Sequence, residues 1–247
     1  MTRIGRGWLF SIAVVAALLF QGCRYPQDVE KTLERVRGGV LDVGLTENSP
    51  WVIRTDPPSG VEVDIVREIA RDLDAEVRWH WASEGELVPA LKQFQLDLVI
   101  GGLVDNKRLK KQVALSKPYF NSRITVGFPI PEGEAPPATL EGVRVQVPAV
   151  NHVARTLKKE GAEPVRYDNG APAGEPVAAA TWWLRGRDLQ PGHWTLRTDK
   201  HVVALPNGEN AWIMHVQKHL NGIPDMAERL RRQVRASQQR NPGESEQ

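Results

Sequence analysis

The stretch from Asp97 to Arg108, DLVIGGLVDNKR, joins an apolar run to residues that are able to hold a ligand. Gly101 and Gly102 follow the apolar residues directly, and because glycine has no β-carbon, a ligand or another backbone can approach closely. Asp105 and Arg108 then offer a carboxylate and a guanidinium for a small polar molecule. The alternative is a tight turn from a strand into a helix. The stretch therefore predicts either a binding loop or a structural turn.

The other reactive side chains form no recognisable catalytic set. His215 and His219 are four residues apart on a predicted helix, which is the spacing of a helical zinc pair. Val216, however, stands where the metalloprotease motif has its glutamate, and the sequence marks no third ligand. Ser116 lies in no nucleophile elbow. We expect no metal, no cofactor and no catalytic residue, and hence a chain that is not an enzyme.

The N-terminal residues predict export and a lipid anchor. Arg3 and Arg6 precede an apolar run from Trp8 to Phe20, which is too short to span a bilayer and matches the core of an export signal. Cys23 follows this run and resembles the lipidated cysteine of bacterial lipoproteins. We expect residues 1–22 to be a signal peptide and Cys23 to carry the lipid. Ordinary signal cleavage and an uncleaved membrane anchor are the alternatives.

Charge and cysteine content exclude several classes of protein. The 247 residues include 32 Lys and Arg against 30 Asp and Glu, which gives no electrostatic basis for binding nucleic acid. The single cysteine excludes an intrachain disulfide. The chain is long enough for one large domain or for two lobes, each with its own core.

Strands and helices alternate along the first half of the chain. VLDVGL predicts a strand, the following VEVDIVREIARDLD has the apolar stripe of an amphipathic helix, and AEVRWHW predicts a second strand. Ser83 and Glu86 have capping-box spacing ahead of another helix, which leads into the buried strand DLVIGGL. This order predicts right-handed βαβ units around a parallel sheet, and thus an α/β protein.

A Pro-rich spacer, PEGEAPPATLEG, separates this half from a second α/β stretch. VRVQVPAV and EPVRYD predict strands, with a helix over NHVARTLKKEG between them. The next residues predict loop with at most one brief helix near Val177 to Leu184. A basic helix is expected from Met226 to Ser237, and residues 238–247 are expected to be disordered.

Five segments, taken in order, resemble the extracellular solute-binding proteins of family 3, the amino-acid-binding type. They are GGVLDVGLTENSPWV, SGVEVDIVREIARDLDAEVRW, DLVIGGL, VALSKPYF and KHVVALPNGENAW. The resemblance implies the type II periplasmic-binding-protein fold, in which two α/β lobes enclose a ligand cleft. It implies that residues 36–122 and 205–237 form lobe 1 and that 123–204 form a shortened lobe 2. Residues 23–35 are the tether and the start of the first helix.

The resemblance also implies a binding site between the lobes. Val104 and Asp105 replace the hydroxyl residues that hold the ligand carboxylate in this family, and Pro148 removes a backbone donor. We therefore expect a divergent member whose ligand need not be a standard amino acid. Gly102→Val is expected to abolish binding without unfolding the protein. The expected ligand-binding residues are Trp51, Gly101, Gly102, Leu103, Asp105, Arg108, Asn151 and Glu175.

These features predict an exported, lipid-anchored monomer of the cell envelope. It would capture a small polar solute and deliver it to the membrane permease of an ABC transporter. An accessory or sensory lipoprotein that keeps the bilobed shell is the first alternative. An enzyme on the same fold is the second, and it would need Glu47, Glu62 or Glu175 as a general acid.

Overall fold

The computed structural model describes residues 28–149, 152–168 and 174–240. The predicted signal segment 1–22, Cys23 and Asn151 therefore lie outside the described residues. None of the helices within these ranges combines the length and the apolar character that crossing a membrane requires.

Strands and helices alternate through the first half of the chain, from Thr32 to Leu115, as the sequence predicts. The strands are β1 Val40–Leu45, β2 Glu76–Trp81, β3 Leu98–Ile100, β4 Ala114–Leu115, β5 Phe120–Phe128, β6 Arg144–Pro148, β7 Glu163–Tyr167, β8 Val177–Ala180, β9 Gln190–Pro191, β10 Arg197–His201 and β11 Ala204–Leu205. The helices are α1 Thr32–Val36, α2 Val61–Asp72, α3 Glu84–Lys92, α4 Lys107–Lys110, α5 Ala154–Lys159, α6 Thr181–Gly186, α7 Asn210–Asn221 and α8 Met226–Arg240.

The first sheet has the strand order β2-β1-β3-β11-β4, and β1 pairs in parallel with both β2 and β3. The predicted parallel pairing is confirmed for β1, β2 and β3, whereas β11 pairs antiparallel with β3 and β4 and makes the sheet mixed. Helix α2 packs its apolar stripe, which includes Val66 and Ile69, into the same core as β1 and the indole of Trp212 on α7. Helix α3 begins at the predicted capping box, with Ser83 and Glu86 bonded reciprocally. Burial of the apolar stripe of α2 against the sheet fixes the position of this helix and of the residues at both its ends.

The second sheet has the order β10-β5-β8-β6-β7, and β9 also pairs with β5. The prediction of loop with one brief helix from Val177 to Leu184 is wrong at its start, because Val177–Ala180 form strand β8. This run of small residues pairs antiparallel with β5 and is largely buried. Its strand conformation comes from cross-strand pairing, which local propensity does not report.

Two short crossings join the sheets. The chain leaves the first sheet after β4 and enters β5 at Phe120, and it returns between His201 and Ala204. The crossings are hydrogen-bonded to each other, since Ser116 N–H donates to Val203 O at 2.9 Å and Tyr119 N–H donates to His201 O at 3.1 Å. The hinge between the sheets is therefore a pair of bonded extended segments.

Helix α8 contacts both halves of the molecule. Val234 packs so closely on Gly186 of α6 that a β-carbon at position 186 would lie 2.8 Å from Val234 Cβ. On the other side, Arg229 lies 3.8 Å from Glu68 of α2. The helix continues to Arg240, so residues 238–240 of the predicted disordered tail are helical. Gln and Arg are good helix formers, so the helix continues past Ser237.

Candidate functional site

The backbone N–H groups of Gly101 and Gly102 bind a carboxylate of the protein itself. Both groups donate to Glu62 Oε2, each at 2.8 Å, and the hydroxyl of Tyr119 donates to the other oxygen. Glu62 is 1% exposed, and its burial raises its pKa although the three donors oppose that shift. Burial and the adjacent Glu62 carboxylate raise the pKa of Tyr119 well above its usual value. The donor pair at the end of β3 is thus already occupied.

Glu62 lies on the apolar stripe of α2, and this position is a signal that sequence reasoning passed over. Residues 62, 65, 66 and 69 share the buried face of the helix. A charged residue within such a stripe must find buried partners, because burying it unpaired costs several kcal/mol or more. Glu62 finds them 39 and 40 residues further along the chain, at Gly101 and Gly102.

Trp51 is 3% exposed and lies in a cluster of aromatic side chains at the hinge. Its indole stacks on His201, with ring centroids 4.1 Å apart and planes at 27°, and meets Trp182 edge-on at 5.8 Å. We call this group the hinge cluster. It comprises Trp51, Tyr119, Phe120, Trp182 and His201, which come from both halves of the molecule.

His201 of the hinge cluster forms a buried pair with Ser122. Ser122 Oγ lies 2.9 Å from His201 Nε2 and accepts a hydrogen bond from Trp182 Nε1 at 2.9 Å. Burial lowers the pKa of His201 to about 4, so the ring is neutral at neutral pH. A neutral imidazole beside a hydroxyl can accept its proton, although only 2% of Ser122 is exposed in this arrangement. No sequence motif links these two positions, which strands β5 and β10 bring together.

Leu103 and Asp105 are fixed by the backbone that returns from the second sheet. Val202 N–H donates to Leu103 O at 3.0 Å, and Asp105 N–H donates to Lys200 O at 2.8 Å. Leu103 is 6% exposed, and the Asp105 carboxylate pairs with Lys110 at 2.7 Å. Leu103 is thus part of the core, and the carboxylate of Asp105 already has a charged partner within the protein.

Arg108 lies on the short helix α4, which begins five residues after Gly102. Asn106 caps this helix, with its side chain accepting from Leu109 N–H at 2.9 Å. The capped helix matches the structural-turn interpretation of this stretch. Arg108 itself is exposed, as are Lys107 and Lys111. The structure thus presents a basic surface at the end of β3.

Glu175 lies at the start of the segment that leads into β8, and it is half-buried. Asn151 is outside the described residues.

The structure does bring together Trp51, Gly101 and Gly102, since a β-carbon at position 102 would lie 2.6 Å from both Asn48 Nδ2 and Trp51 Cδ1. The expectation that Gly102→Val spares folding is therefore wrong, because the side chains that crowd this glycine belong to the protein's own packed interior.

A cavity of about 390 Å³ adjoins the hinge cluster. It lies between β5, α6 and α8, and Ser122 and Trp182 form part of its wall. Arg185 and Arg231 supply positive charge, and Asp225 and Glu228 supply negative charge. A cavity of this size suits a small molecule, and the mixed charges suit a polar one.

The sequence model of the bacterial extracellular solute-binding proteins, family 3, matches residues 41–229, a range that includes strands of both sheets. The chain belongs to this family. The recognition made from five sequence segments is confirmed, and the family's description places these proteins outside the cytoplasm.

Curated relatives match parts of the chain. A membrane-bound lytic murein transglycosylase F from Vibrio cholerae serotype O1 is 32% identical over 108 residues, which are 42% of this chain and 20% of that protein. An arginine-binding periplasmic protein from Mannheimia haemolytica is 38% identical over 63 residues, which are 26% of this chain and 27% of that protein. The chain thus spans about a fifth to a quarter of the length of these relatives.

Solved structures share the fold. An ancestral cationic amino acid solute-binding protein has a TM-score of 0.66 at 17% identity, with 83% of this chain and 99% of that chain covered. The L-cystine solute receptor of Neisseria gonorrhoeae, unliganded and open, has a TM-score of 0.64 at 16% identity, with 77% and 90% covered. The predicted two-lobed α/β fold of type II periplasmic binding proteins is confirmed.

The expectation that the chain is not an enzyme must be corrected. Similar sequences occur in proteins named as lytic murein transglycosylases. A further structure of the ancestral amino-acid-binding protein, with a TM-score of 0.56 at 17% identity, is described as that of a precursor of cyclohexadienyl dehydratase. Membership of this family therefore does not exclude catalysis.

Proposed function

We propose that this chain is an exported, lipid-anchored receptor that captures a small polar solute of the amino-acid type and delivers it to an ABC-type permease. The observation that supports this proposal is the family match over residues 41–229. Relatives named for arginine and histidine binding, and structures titled for cationic amino acids and L-cystine, support the class of solute.

The proposed binding surface lies between the lobes. Because Glu62 occupies the N–H groups of Gly101 and Gly102, a solute carboxylate must be held by another group. The exposed guanidinium of Arg108 fits this role, since it can bind a carboxylate through two parallel hydrogen bonds. Glu175, in the other half of the molecule, is the proposed partner for a solute ammonium.

Trp51 is the proposed aromatic wall of this surface. In the structure its indole contacts Trp182, which belongs to the other half of the molecule. Movement of the lobes about the two crossings would separate these rings and free one face of Trp51 for a cationic group. Arginine-like solutes would gain most from that contact.

An accessory or sensory role is the second candidate. The observation that favours it is the likeness of almost half of the chain to part of a murein transglycosylase. In this role the two lobes would bind a murein-derived fragment and report its presence instead of passing it to a permease.

A thermal-shift screen of residues 24–247 distinguishes these candidates. The panel comprises the standard amino acids, polyamines, organic acids, quaternary amines, small sugars and murein peptides. A ligand at 100 times its Kd stabilises the folded protein by about 2.7 kcal/mol, which raises Tm by a few degrees. A saturable response to a cationic amino acid supports transport, and a response to murein peptides alone supports the second candidate. No response across the panel would contradict both.

Catalysis is tested on the same ligands. Each ligand that stabilises the protein is incubated with it and followed by proton NMR. An unchanged spectrum agrees with capture and release of the solute. A new product, lost in Ser122→Ala or Glu62→Gln, would assign an enzyme activity instead.

A further inference from the structure

Three side chains of the types that bind metal ions lie close together on the first lobe, outside the surface described above. Asp72 is the last residue of α2, and His215 and His219 lie one turn apart on α7. Asp72 Oδ2 is 3.2 Å from His219 Nε2 and 3.5 Å from His215 Nε2. One ligand atom from each of the three residues lies within 4.8 Å of the other two. The sequence marked only the two histidines, and the fold supplies the carboxylate.

We propose that Asp72, His215 and His219 bind one zinc ion. Zinc lies about 2.0–2.2 Å from nitrogen and oxygen ligands, so tetrahedral coordination places neighbouring ligand atoms about 3.3 Å apart. Both distances from the carboxylate to the imidazoles match this value. Two imidazole nitrogens and one oxygen suit zinc and related transition metals, whereas magnesium and calcium prefer oxygen ligands.

The state of His215 favours a metal ion. Its Nε2 atom is buried and has no hydrogen-bond partner within the described residues, a situation that is costly for a polar atom. The ring also lies parallel to the buried Trp212, with 6.1 Å between centroids and 14° between planes, which fixes its direction. Coordination would satisfy the unpartnered nitrogen.

The local charge affects the affinity for zinc, and the number of protein ligands determines how many coordination positions stay open. Two neutral imidazoles and one carboxylate leave a bound zinc ion with one net positive charge. The cationic side chains of Arg37 and Lys218 lie near His215 and disfavour a metal cation. Three protein ligands leave a fourth position open, and the partly exposed Asp72 places that position toward solvent. We infer an open site of moderate affinity that joins the end of α2 to α7.

Equilibrium dialysis against zinc chloride at neutral pH tests this site. The full chain is purified without a polyhistidine tag, which would itself bind metal. We expect one zinc ion per chain, with affinity reduced at least tenfold in His219→Gln and in Asp72→Asn. Asp72→Asn keeps the shape of the side chain and one acceptor oxygen but removes the charge, so it separates loss of a metal ligand from a change in packing. His193→Gln is the matched control, since His193 is exposed and lies on the second sheet's side of the hinge.

Copper(II) gives an independent measurement on the unaltered protein. We expect an electron paramagnetic resonance spectrum with hyperfine coupling from two imidazole nitrogens, reduced to one in His215→Gln. The absence of saturable zinc binding would overturn the proposal, as would affinity unchanged in both Asp72→Asn and His219→Gln. A copper spectrum without two nitrogen ligands would also overturn it.

Discussion

Gly102 lies directly against the indole of Trp51, and a β-carbon at position 102 would come within 2.6 Å of Trp51 Cδ1. The close approach predicted at the end of the DLVIGGL strand therefore exists, but the protein's own side chain makes it. Gly102 also has φ +66°, a left-handed conformation that favours glycine. The residue is thus required both by its backbone conformation and by the packing of the hinge cluster.

Gly102→Ala is expected to lower the free energy of unfolding by roughly 1–3 kcal/mol, from the strained φ and the contact with Trp51. Gly85→Ala is the control, because this glycine lies in α3 with only Ser83 Oγ near the added atom, at 3.8 Å. That change should be neutral or slightly stabilising. Urea denaturation of both variants measures the difference. Equal stability of the two variants would contradict the packing described for Gly102.

Tyr119→Phe is expected to lower the free energy of unfolding by about 1.5–3 kcal/mol, because the buried Glu62 carboxylate loses a hydroxyl donor. In the double variant with Glu62→Gln, the loss should be smaller than the sum of the two single losses, since both changes remove one shared interaction. A double-mutant cycle in urea measures this coupling. Additive losses would show that the hydroxyl and the carboxylate act independently.

His201 should make the protein less stable in acid. The pKa of this ring is lowered by burial to about 4 in the folded chain, against its usual 6.5. Between these values the unfolded chain binds a proton that the folded chain does not, so stability falls as the pH drops from 6.5 to 4. The free energy of unfolding falls by about 3 kcal/mol over this range, because each unit of difference in pKa corresponds to 1.36 kcal/mol.

His201→Gln removes this contribution and isolates it from the carboxyl groups. Between pH 7 and pH 4, the free energy of unfolding of the variant should fall by about 3 kcal/mol less than that of the unaltered protein. Urea denaturation across this range measures both curves. Parallel curves would mean that His201 is protonated equally in the folded and unfolded chains.

Arg108→Ala tests where the solute binds. If Arg108 holds a solute carboxylate, its removal should weaken binding of the solute found in the screen at least tenfold, since a charged hydrogen bond contributes about 1.5–3 kcal/mol. Lys111→Ala is the control for a general loss of positive charge. Arg185→Ala tests the cavity of about 390 Å³ beside the hinge cluster. Isothermal titration calorimetry compares the three, and a loss confined to Arg185→Ala would move the site from the cleft to that cavity.

Cys23→Ser tests the predicted lipid anchor. In a bacterial host, the unaltered chain should incorporate labelled palmitate and sediment with membranes, because the acylated cysteine buries its chains in the bilayer. The variant should incorporate no label and should no longer sediment with the membranes. Label retained in Cys23→Ser, or absent from the unaltered chain, would contradict lipidation at this residue.

Much of the framework could be predicted from the sequence, because it depends on local patterns. The apolar stripe of α2, the capping box at Ser83 and the βαβ order each need only a short segment to be recognised. The run of five family segments needs only their order. By contrast, β8 was missed because the small residues of Val177–Ala180 become a strand by pairing with β5.

The sequence by itself determined the family, the two-lobed α/β fold and the position of the glycines at the end of a buried strand. Only the tertiary structure decided what fills the space around them, since the Glu62 carboxylate and the Trp51 ring come from segments some 40 to 50 residues away. The same reason explains why Asp72 joins His215 and His219. Such contacts depend on how separate elements pack, and no local pattern of residues specifies a distance between side chains that are far apart in the chain.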